Sequence, residues 1–323
     1  CSGLTSITLP SSLTSIGSLA FRYCTSLTEL DLSNCTNLTS IGSQVFSGCS
    51  GLTSITLPSS LTSIGSEAFY NCSGLETLEF KGTIDQWLSI DFGSTWMSDN
   101  SHTFIVNGEE LTNLVVPEGV TSIGSQVFSG CSGLTSITFP SSLKSIESEA
   151  FEDCSGLTEL DLSNCTNLTS IGGVAFQNCS GLTSITLPSS LTSIGSYAFR
   201  DCSRLTGELV IPEGVTSIGY SAFSGCSGLT SITLPSSLTT IGSYAFEICT
   251  GITSVTINEY VFRNVTSTSS SCGYILKYIG SGETVLVPAN LIDDLGLTNS
   301  YLDGSSFTRS ETAVDGYYVY TKI

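Results

Sequence analysis

The sequence predicts a right-handed, β-rich solenoid of about ten coils with about 23 residues in each. Cysteine recurs at nearly constant steps over residues 1–72 and again over residues 131–272. Leucine and isoleucine recur at fixed places between these cysteines, and Ala-Phe closes most units. The run LTELDLSNCTNLTSIG at residues 27–42 also returns unchanged at residues 157–172, which indicates duplication of a multi-repeat block.

The first copy shows the order of elements within a unit. Residues 4–9 contain regularly spaced apolar side chains and predict a strand. Pro10 has no amide hydrogen to donate, so we expect it to end this strand rather than lie inside it. Residues 10–12 then predict a turn, residues 13–16 a second short strand, and residues 17–23 a turn or short helix.

Stacking of the units is required, because no unit can bury its own apolar face. Equivalent strands would lie ~4.8 Å apart in parallel ladders, so about ten coils would form a rod or shallow arc ~50 Å long. The shared pattern C-x-x-L-x-x-I-x-L-P-x-x-L-x-x-I-x-x-x-A-F over residues 1–80 and 109–257 resembles the BspA-like leucine-rich repeats of bacterial surface proteins, which some parasitic protists also contain. The resemblance implies a leucine-rich repeat solenoid in a secreted or cell-surface binding protein, with no catalytic residues to transfer.

The repeat pattern divides the chain into four segments. These are leucine-rich repeats at 1–80, a non-repeat insertion at 81–108, further leucine-rich repeats at 109–257, and a degenerate region at 258–323. The last region is predicted to be a C-terminal cap or the start of a further domain, with a short helix at 289–295 and an aromatic strand near its end. The chain opens at Cys1 in phase with the repeat, which suggests an excerpt of a longer polypeptide.

The insertion contains both tryptophans of the chain, Trp87 and Trp96. Thr83 followed by Gln86 resembles a capping box, which predicts a short helix over residues 84–90. Asn107-Gly108 between extended runs predicts a hairpin. One interpretation makes the insertion a projecting binding element, while the favoured one makes it a cover over the disturbed ladder, with both tryptophans packed inward.

The thirteen cysteines are predicted to be reduced and buried as small apolar side chains. Eleven open the units, and Cys35 and Cys165 share one place in the duplicated block. In-register thiols would lie slightly farther apart than disulfide geometry prefers. The sequence has no C-x-x-C pair and a single histidine, His102, so a zinc site is not expected.

The charge balance excludes some partners. Nine Lys and Arg against 28 Asp and Glu give a formal net charge of -19, which repels nucleic acid and anionic lipid headgroups. No apolar run is long enough for membrane insertion of this segment. His102 is the only histidine available as a general base and no G-x-S-x-G motif accompanies it, so we expect no enzyme activity and no cofactor.

Comparison of the copies identifies positions that vary while their neighbours repeat. They are the residue before Ala-Phe and the two residues after it, and we call them the variable edge. Tyrosine, tryptophan and arginine are common among interface hot spots. The predicted partner-contact residues are Tyr70, Tyr197, Arg200, Tyr244, Glu67, Glu149, Trp87 and Trp96. The alternative is that exposed turns simply vary.

Two functions remain open from the sequence. The first is a non-enzymatic extracellular or cell-surface module that binds a protein or glycan of a host or neighbouring cell along the variable edge. The second is a passive spacer that holds other domains away from the cell surface. An aromatic patch on the variable edge would favour binding, and uniform polarity on every face would favour the spacer.

Overall fold

The computed structural model describes residues 1–97 and 101–256 with their side chains, and the backbone of 284–288, 307–309 and 317–322. The chain forms a β-solenoid of about ten turns with parallel ladders and little helix, as the repeat predicts. The helix predicted at 289–295 lies outside the described residues. The aromatic strand predicted near the end is present at Tyr317–Lys322.

Two short strands in each coil pair with their equivalents in the next coil. The second strands of the coils form two ladders. The first ladder contains β1 (Ser15–Ile16), β3 (Ser40–Ile41), β5 (Ser63–Ile64) and β7 (Asp91–Phe92). The second ladder contains β11 (Ser122–Ile123), β13 (Ser145–Ile146), β15 (Ser170–Ile171), β17 (Ser193–Ile194), β19 (Ser217–Ile218) and β21 (Thr240–Ile241). Their register pairs identical positions, as in Ile171 opposite Ile194. Gly195 directly follows β17. A Cβ atom on Gly195 would lie 2.5 Å from the carbonyl carbon of Gly172, so only glycine allows the two coils to approach this closely.

The first strands form the other side of the solenoid. In the described chain they belong to four sheets. The first sheet contains β2 (Glu29–Asp31), β4 (Ser54–Pro58), β6 (Thr77–Lys81), β8 (Thr103–Val106) and β9 (Glu109–Glu110), the second pairs β10 (Asn113–Val115) with β12 (Ser136–Thr138), and the third pairs β14 (Glu159–Asp161) with β16 (Ser184–Thr186). The fourth sheet contains, in spatial order, β18 (Gly207–Val210), β20 (Leu229–Thr233), β22 (Ser254–Thr256), β23 (Thr284–Pro288), β25 (Tyr317–Lys322) and β24 (Phe307–Arg309). Pro58 ends β4, as expected for a residue without an amide hydrogen. The strand predicted over residues 4–9 is absent, although the same coil forms β1 and pairs it with β3.

The third side of each coil is a turn rather than the short helix allowed by the sequence. Three alternate amides in it donate hydrogen bonds along the solenoid axis: Leu19 to Ser43 at 3.0 Å, Phe21 to Val45 at 3.0 Å, and Tyr23 to Ser47 at 2.8 Å. Left-handed residues make this geometry possible, since φ is 66° at Leu19 and 57° at Tyr23. The coils are therefore hydrogen-bonded to each other on three sides.

The core contains one phenylalanine from each turn. We call the coils before β10 the first stack and the coils from β10 onward the second stack. In the second stack these rings are nearly parallel, with centroids 5.2–5.4 Å apart and interplanar angles of 2–9°. The members of this phenylalanine column are Phe128, Phe151, Phe176, Phe199, Phe223 and Phe246. Phe21, Phe46 and Phe69 stack in the same way in the first stack of coils. The apolar interior is thus continuous along each stack of coils.

The cysteines behave as predicted in the described part of the chain, where all are free thiols and only Cys1 is exposed. Their sulfur atoms also have a role that we did not predict. Cys202 donates to the carbonyl oxygen of Phe176 at 3.3 Å, and Cys226 donates to that of Phe199 at 3.2 Å. Burial raises the pKa of the Cys72 thiol to about 12. Such thiols remain protonated and unreactive at neutral pH.

The insertion is an enlarged coil rather than a separate element. Its helix α1 (Ile84–Leu88) has the predicted capping box of Thr83 and Gln86 and ends two residues before the predicted limit. β7 pairs with β5, and β8 pairs with β6, so both ladders extend into the insertion. The predicted hairpin joins β8 to β9 through Asn107 and Gly108, both with positive φ. In the described chain, β9 and β7 end the first set of ladders, and β10 and β11 begin the next.

Candidate functional site

The variable edge lies on the third side of the solenoid. The residue before Ala-Phe has a left-handed backbone in every described repeat, and its amide donates to the next coil, as Val174 does to Ser196 at 2.8 Å. We call this position the outer column, and it contains Leu19, Gln44, Glu67, Gln126, Glu149, Val174, Tyr197, Ser221 and Tyr244. Gln126 and Ser221 are buried, so the edge is not exposed along its whole length.

No outer-column residue in the described coils is glycine, although a positive φ favours glycine. The second left-handed position in the same turn, just before the cysteine, follows the usual preference. It is Gly48, Asn71, Gly130, Asp153, Asn178, Asp201 or Gly225 in seven of the described coils. The outer column therefore retains side chains at a conformational cost of about 1 kcal/mol each.

Three tyrosines meet on this edge. The ring centroids of Tyr197 and Tyr220 are 5.2 Å apart at an interplanar angle of 68°, and those of Tyr220 and Tyr244 are 5.6 Å apart at 77°. We call Tyr197, Tyr220 and Tyr244 the tyrosine strip. Tyr220, which precedes the outer column, is not among the contact residues predicted from the sequence. A signal was present, because the run IGYSAF has tyrosine where other copies have the serine of IGS.

Arg200 lies beside the strip. Its guanidinium carbon is 5.4 Å from the Tyr197 ring centroid, and its Nε atom is 3.3 Å from a carboxylate oxygen of Asp201. A similar pair lies at the opposite end of the edge, where the Arg22 guanidinium is 4.6 Å from the centroid of Tyr23. The structure thus brings together three predicted contact residues, Tyr197, Arg200 and Tyr244.

Other predicted contact residues are placed elsewhere on the edge. Glu67 accepts a hydrogen bond from Gln44 at 2.7 Å, and Glu149 accepts one from Gln126, so these carboxylates link neighbouring coils. Tyr70 is 45% exposed but lies in the first stack of coils, apart from the strip. Glu67 and Tyr70 lie before the insertion, whereas Glu149 lies two coils from Tyr197 in the same outer column.

The two tryptophans do not reach the surface, so their assignment as partner contacts is wrong and the inward-packed alternative holds. Both side chains are fully buried. The indole N–H of Trp87 donates to the Val127 carbonyl at 3.1 Å, and that of Trp96 donates to the Gln126 carbonyl at 3.2 Å. Their rings also connect the two phenylalanine stacks, from Phe69 through Trp96, Trp87 and Phe104 to Phe128.

His102, the only candidate base, is buried in the junction between the two stacks of coils. Its amide donates to the Gly130 carbonyl at 2.8 Å, and it forms a parallel bridge with Cys131. Among the described residues, no group of three or more His, Cys, Asp or Glu could hold a metal ion. None of the helices in the described ranges is long and apolar enough to cross a membrane.

Known proteins show the same repeat. A family model described as a BspA type leucine rich repeat region matches residues 1–98, 100–207 and 206–282. A leucine-rich repeat protein from Bacteroides ovatus is 28% identical over 76% of this chain with a TM-score of 0.58, and this chain spans 60% of that one, less than two thirds of its length. A leucine rich cell surface protein from Faecalibacterium prausnitzii is 25% identical over 75% of this chain and 82% of that chain, with a TM-score of 0.33. No curated protein matches the chain.

Proposed function

The chain belongs to the BspA-type leucine-rich repeat family, and from that premise we propose that it is a non-enzymatic binding module that recognises a protein or glycan through the variable edge. The observation that supports this function is the tyrosine strip. Aromatic rings at a surface favour binding, because they offer large contact area at low cost in side-chain entropy. The contact surface is centred on Tyr220, which is 41% exposed, and includes Arg200.

The backbone of the strip supports the same proposal. Tyr197 and Tyr244 both have a φ of 61°, a conformation that disfavours a large side chain. Glycine would satisfy the turn at lower conformational cost, and the next left-handed position uses it at Gly225. Tyrosine is present where stability alone favours a smaller residue, which is typical of a residue retained for recognition.

We also propose that the module works at the cell surface or outside the cell. The resemblance to BspA-like surface proteins supports this location. The cysteines are compatible with it, since burial raises the pKa of Cys49 to about 11 and of Cys72 to about 12. Protonated, inaccessible thiols resist oxidation in an oxidising environment.

A binding screen with matched variants tests the proposal. The purified chain is applied to a panel of matrix proteins and glycans beside the triple variant Tyr197→Ala, Tyr220→Ala, Tyr244→Ala. Val210→Ala serves as the control, because Val210 is exposed on the strand side, away from the variable edge. We expect at least about tenfold weaker binding by the triple variant alone, with an unchanged Tm. Equal binding by the triple variant would contradict the proposal.

The passive spacer remains a second candidate, because hydroxyl groups on the other sides bond within the solenoid. The Thr192 hydroxyl donates to the Thr169 carbonyl at 2.8 Å, and the Thr183 hydroxyl donates to that of Thr158 at 2.9 Å. A surface of this kind is polar and regular, with few groups directed at a partner. Absence of binding to every member of the panel would favour this function.

A further inference from the structure

We propose that the tyrosine strip binds the guanidinium groups of an extended, arginine-containing segment of a partner protein. The proposal rests on the binding function above and names the chemistry of the ligand. It follows from the charge of the chain, from contacts that arginine already makes on this edge, and from the arrangement of the three rings.

The charge of the chain favours a cationic partner. With 28 acidic against nine basic residues, the net charge of -19 attracts cations and repels anionic ligands. Acidic residues outnumber basic ones on the variable edge as well. The acidic residues there are Glu67, Glu149, Glu152, Asp153, Asp201 and Glu247, and the basic ones are Arg22 and Arg200. A basic segment would therefore be steered to this edge.

The edge already binds arginine within the chain. The guanidinium groups of Arg22 and Arg200 both lie over a tyrosine ring, at 4.6 Å and 5.4 Å from the ring centroids. The Arg200 side chain is 45% exposed, yet its guanidinium lies against the aromatic face of Tyr197. A planar guanidinium both stacks on and is attracted to that face, which lysine does less well. These two pairs show that the edge accommodates the proposed contact.

The rings of the strip leave aromatic surface available at Tyr220, which is 41% exposed. In the phenylalanine column neighbouring rings are nearly parallel, so each ring covers the face of the next, as Phe199 and Phe223 do at 7°. Tyr220 instead meets Tyr197 at 68° and Tyr244 at 77°. Each edge-to-face contact covers a face of only one of its two rings. Uncovered faces are the binding sites for a cation.

The spacing of the rings fits an extended segment. Alternate side chains of an extended chain lie on one face about 6.6 Å apart. The ring centroids of the strip are 5.2 Å and 5.6 Å apart, a difference that flexible arginine side chains can span. A segment with arginine at alternate positions would therefore place one guanidinium group over Tyr220 and the next ones beside Tyr197 and Tyr244.

The test uses the whole chain and a defined probe, the acetylated and amidated peptide Arg-Gly-Arg-Gly-Arg with a fluorescent label. Matched peptides contain lysine or glutamate in place of arginine. The protein variants convert Tyr197, Tyr220 and Tyr244 together to leucine or together to phenylalanine, and Val210→Leu on the exposed strand side is the control. Fluorescence anisotropy gives the Kd at about 50 mM and about 300 mM salt, which separates general charge attraction from contact at the strip.

We expect the arginine peptide to bind the leucine variant about tenfold more weakly, and the phenylalanine variant within about threefold of the native chain. The lysine peptide should bind several-fold more weakly than the arginine peptide, the glutamate peptide should not bind, and Val210→Leu should leave the Kd unchanged. The loss in the leucine variant should persist at the higher salt concentration. Equal binding by the leucine and native chains, or equal binding of the lysine and arginine peptides, would overturn the proposal.

The outcomes separate this proposal from the function on which it rests. If the strip variants lose binding to a neutral glycan or to a protein in the panel but bind the arginine peptide normally, the guanidinium proposal fails and the binding function stands. If substitution of the strip changes binding to no ligand, both fail.

Discussion

The inner and outer faces of the same turn differ sharply, as Phe199 and Tyr197 show. They are two residues apart, and both donate an amide hydrogen bond to the next coil. Phe199 is fully buried in a stack of nearly parallel rings, whereas Tyr197 is half-buried at the surface and meets Tyr220 at 68°. The inner face must fit identical neighbours above and below, so its residue type repeats. The outer face has only a backbone requirement, so its residue type is free to vary.

Loss of the inner ring should have the largest effect. Phe199→Ala removes a ring stacked between Phe176 and Phe223 and should lower the free energy of unfolding by about 3 to 5 kcal/mol. Tyr197→Ala, the matched change on the outer face, should cost less than about 1 kcal/mol. Chemical denaturation followed by circular dichroism measures both. A loss under about 1 kcal/mol for Phe199→Ala would mean that the inner and outer faces are wrongly assigned.

The insertion coil places tryptophan in the core, and each indole donates a hydrogen bond to a backbone carbonyl. A substitution there tests how much that hydrogen bond contributes to stability. Trp87→Phe keeps an aromatic ring but leaves the Val127 carbonyl without its indole donor. The cost should be about 1 to 3 kcal/mol, the cost of leaving a buried acceptor without a partner. Thermal unfolding of this variant measures it, with Phe69→Trp in a regular coil as the overpacked control. An unchanged Tm would show that ring packing alone holds the insertion.

In the outer column, a suitable substitution should raise the free energy of unfolding instead of lowering it. Val174 has a φ of 63°, which is unfavourable for a β-branched residue. Val174→Asn should raise the free energy of unfolding by about 0.5 to 1 kcal/mol, because asparagine tolerates the left-handed region. The same change at Val45, buried on the inner face, should destabilise the chain. Destabilisation by Val174→Asn would mean that its side chain is needed for packing.

The smallest effect should come from an exposed carboxylate on the strand side. The backbone amide of Ser163 donates to Asp161 at 2.9 Å, and this hydrogen bond lowers the pKa of Asp161. The stabilisation is therefore present above the ordinary pKa near 4 and is lost as pH falls through the lowered value. Asp161→Asn should reduce stability by about 0.3 kcal/mol at pH 7 and by less at low pH. Comparison of the two chains by denaturant titration at several pH values measures this; a difference that grows toward low pH would contradict it.

The repeat made the fold predictable, because each coil meets copies of itself. The order of elements in a coil, the buried cysteines, the capping box at Thr83 and the hairpin at Asn107 all follow from local patterns, whereas the strands are shorter than the predicted 4–9 and 13–16. Features that depend on contacts between unlike coils did not follow. Tyr220 joins the strip from outside the aligned column, and Glu67 is held by Gln44 of another coil. The left-handed outer column was also hidden, since no glycine marks it.

The three hydrogen-bonded sides of the solenoid have a mechanical consequence. Two coils joined along one line could hinge about it, whereas coils joined along three lines that do not share a plane resist bending in every direction. In the described chain, β7 of the insertion coil does not pair with β11 of the following coil, so this ladder is interrupted. The indole N–H groups of Trp87 and Trp96 and the amide of His102 form hydrogen bonds between the two stacks there. Under a bending load the rod should therefore yield first at this junction, while the coils that present the tyrosine strip stay aligned.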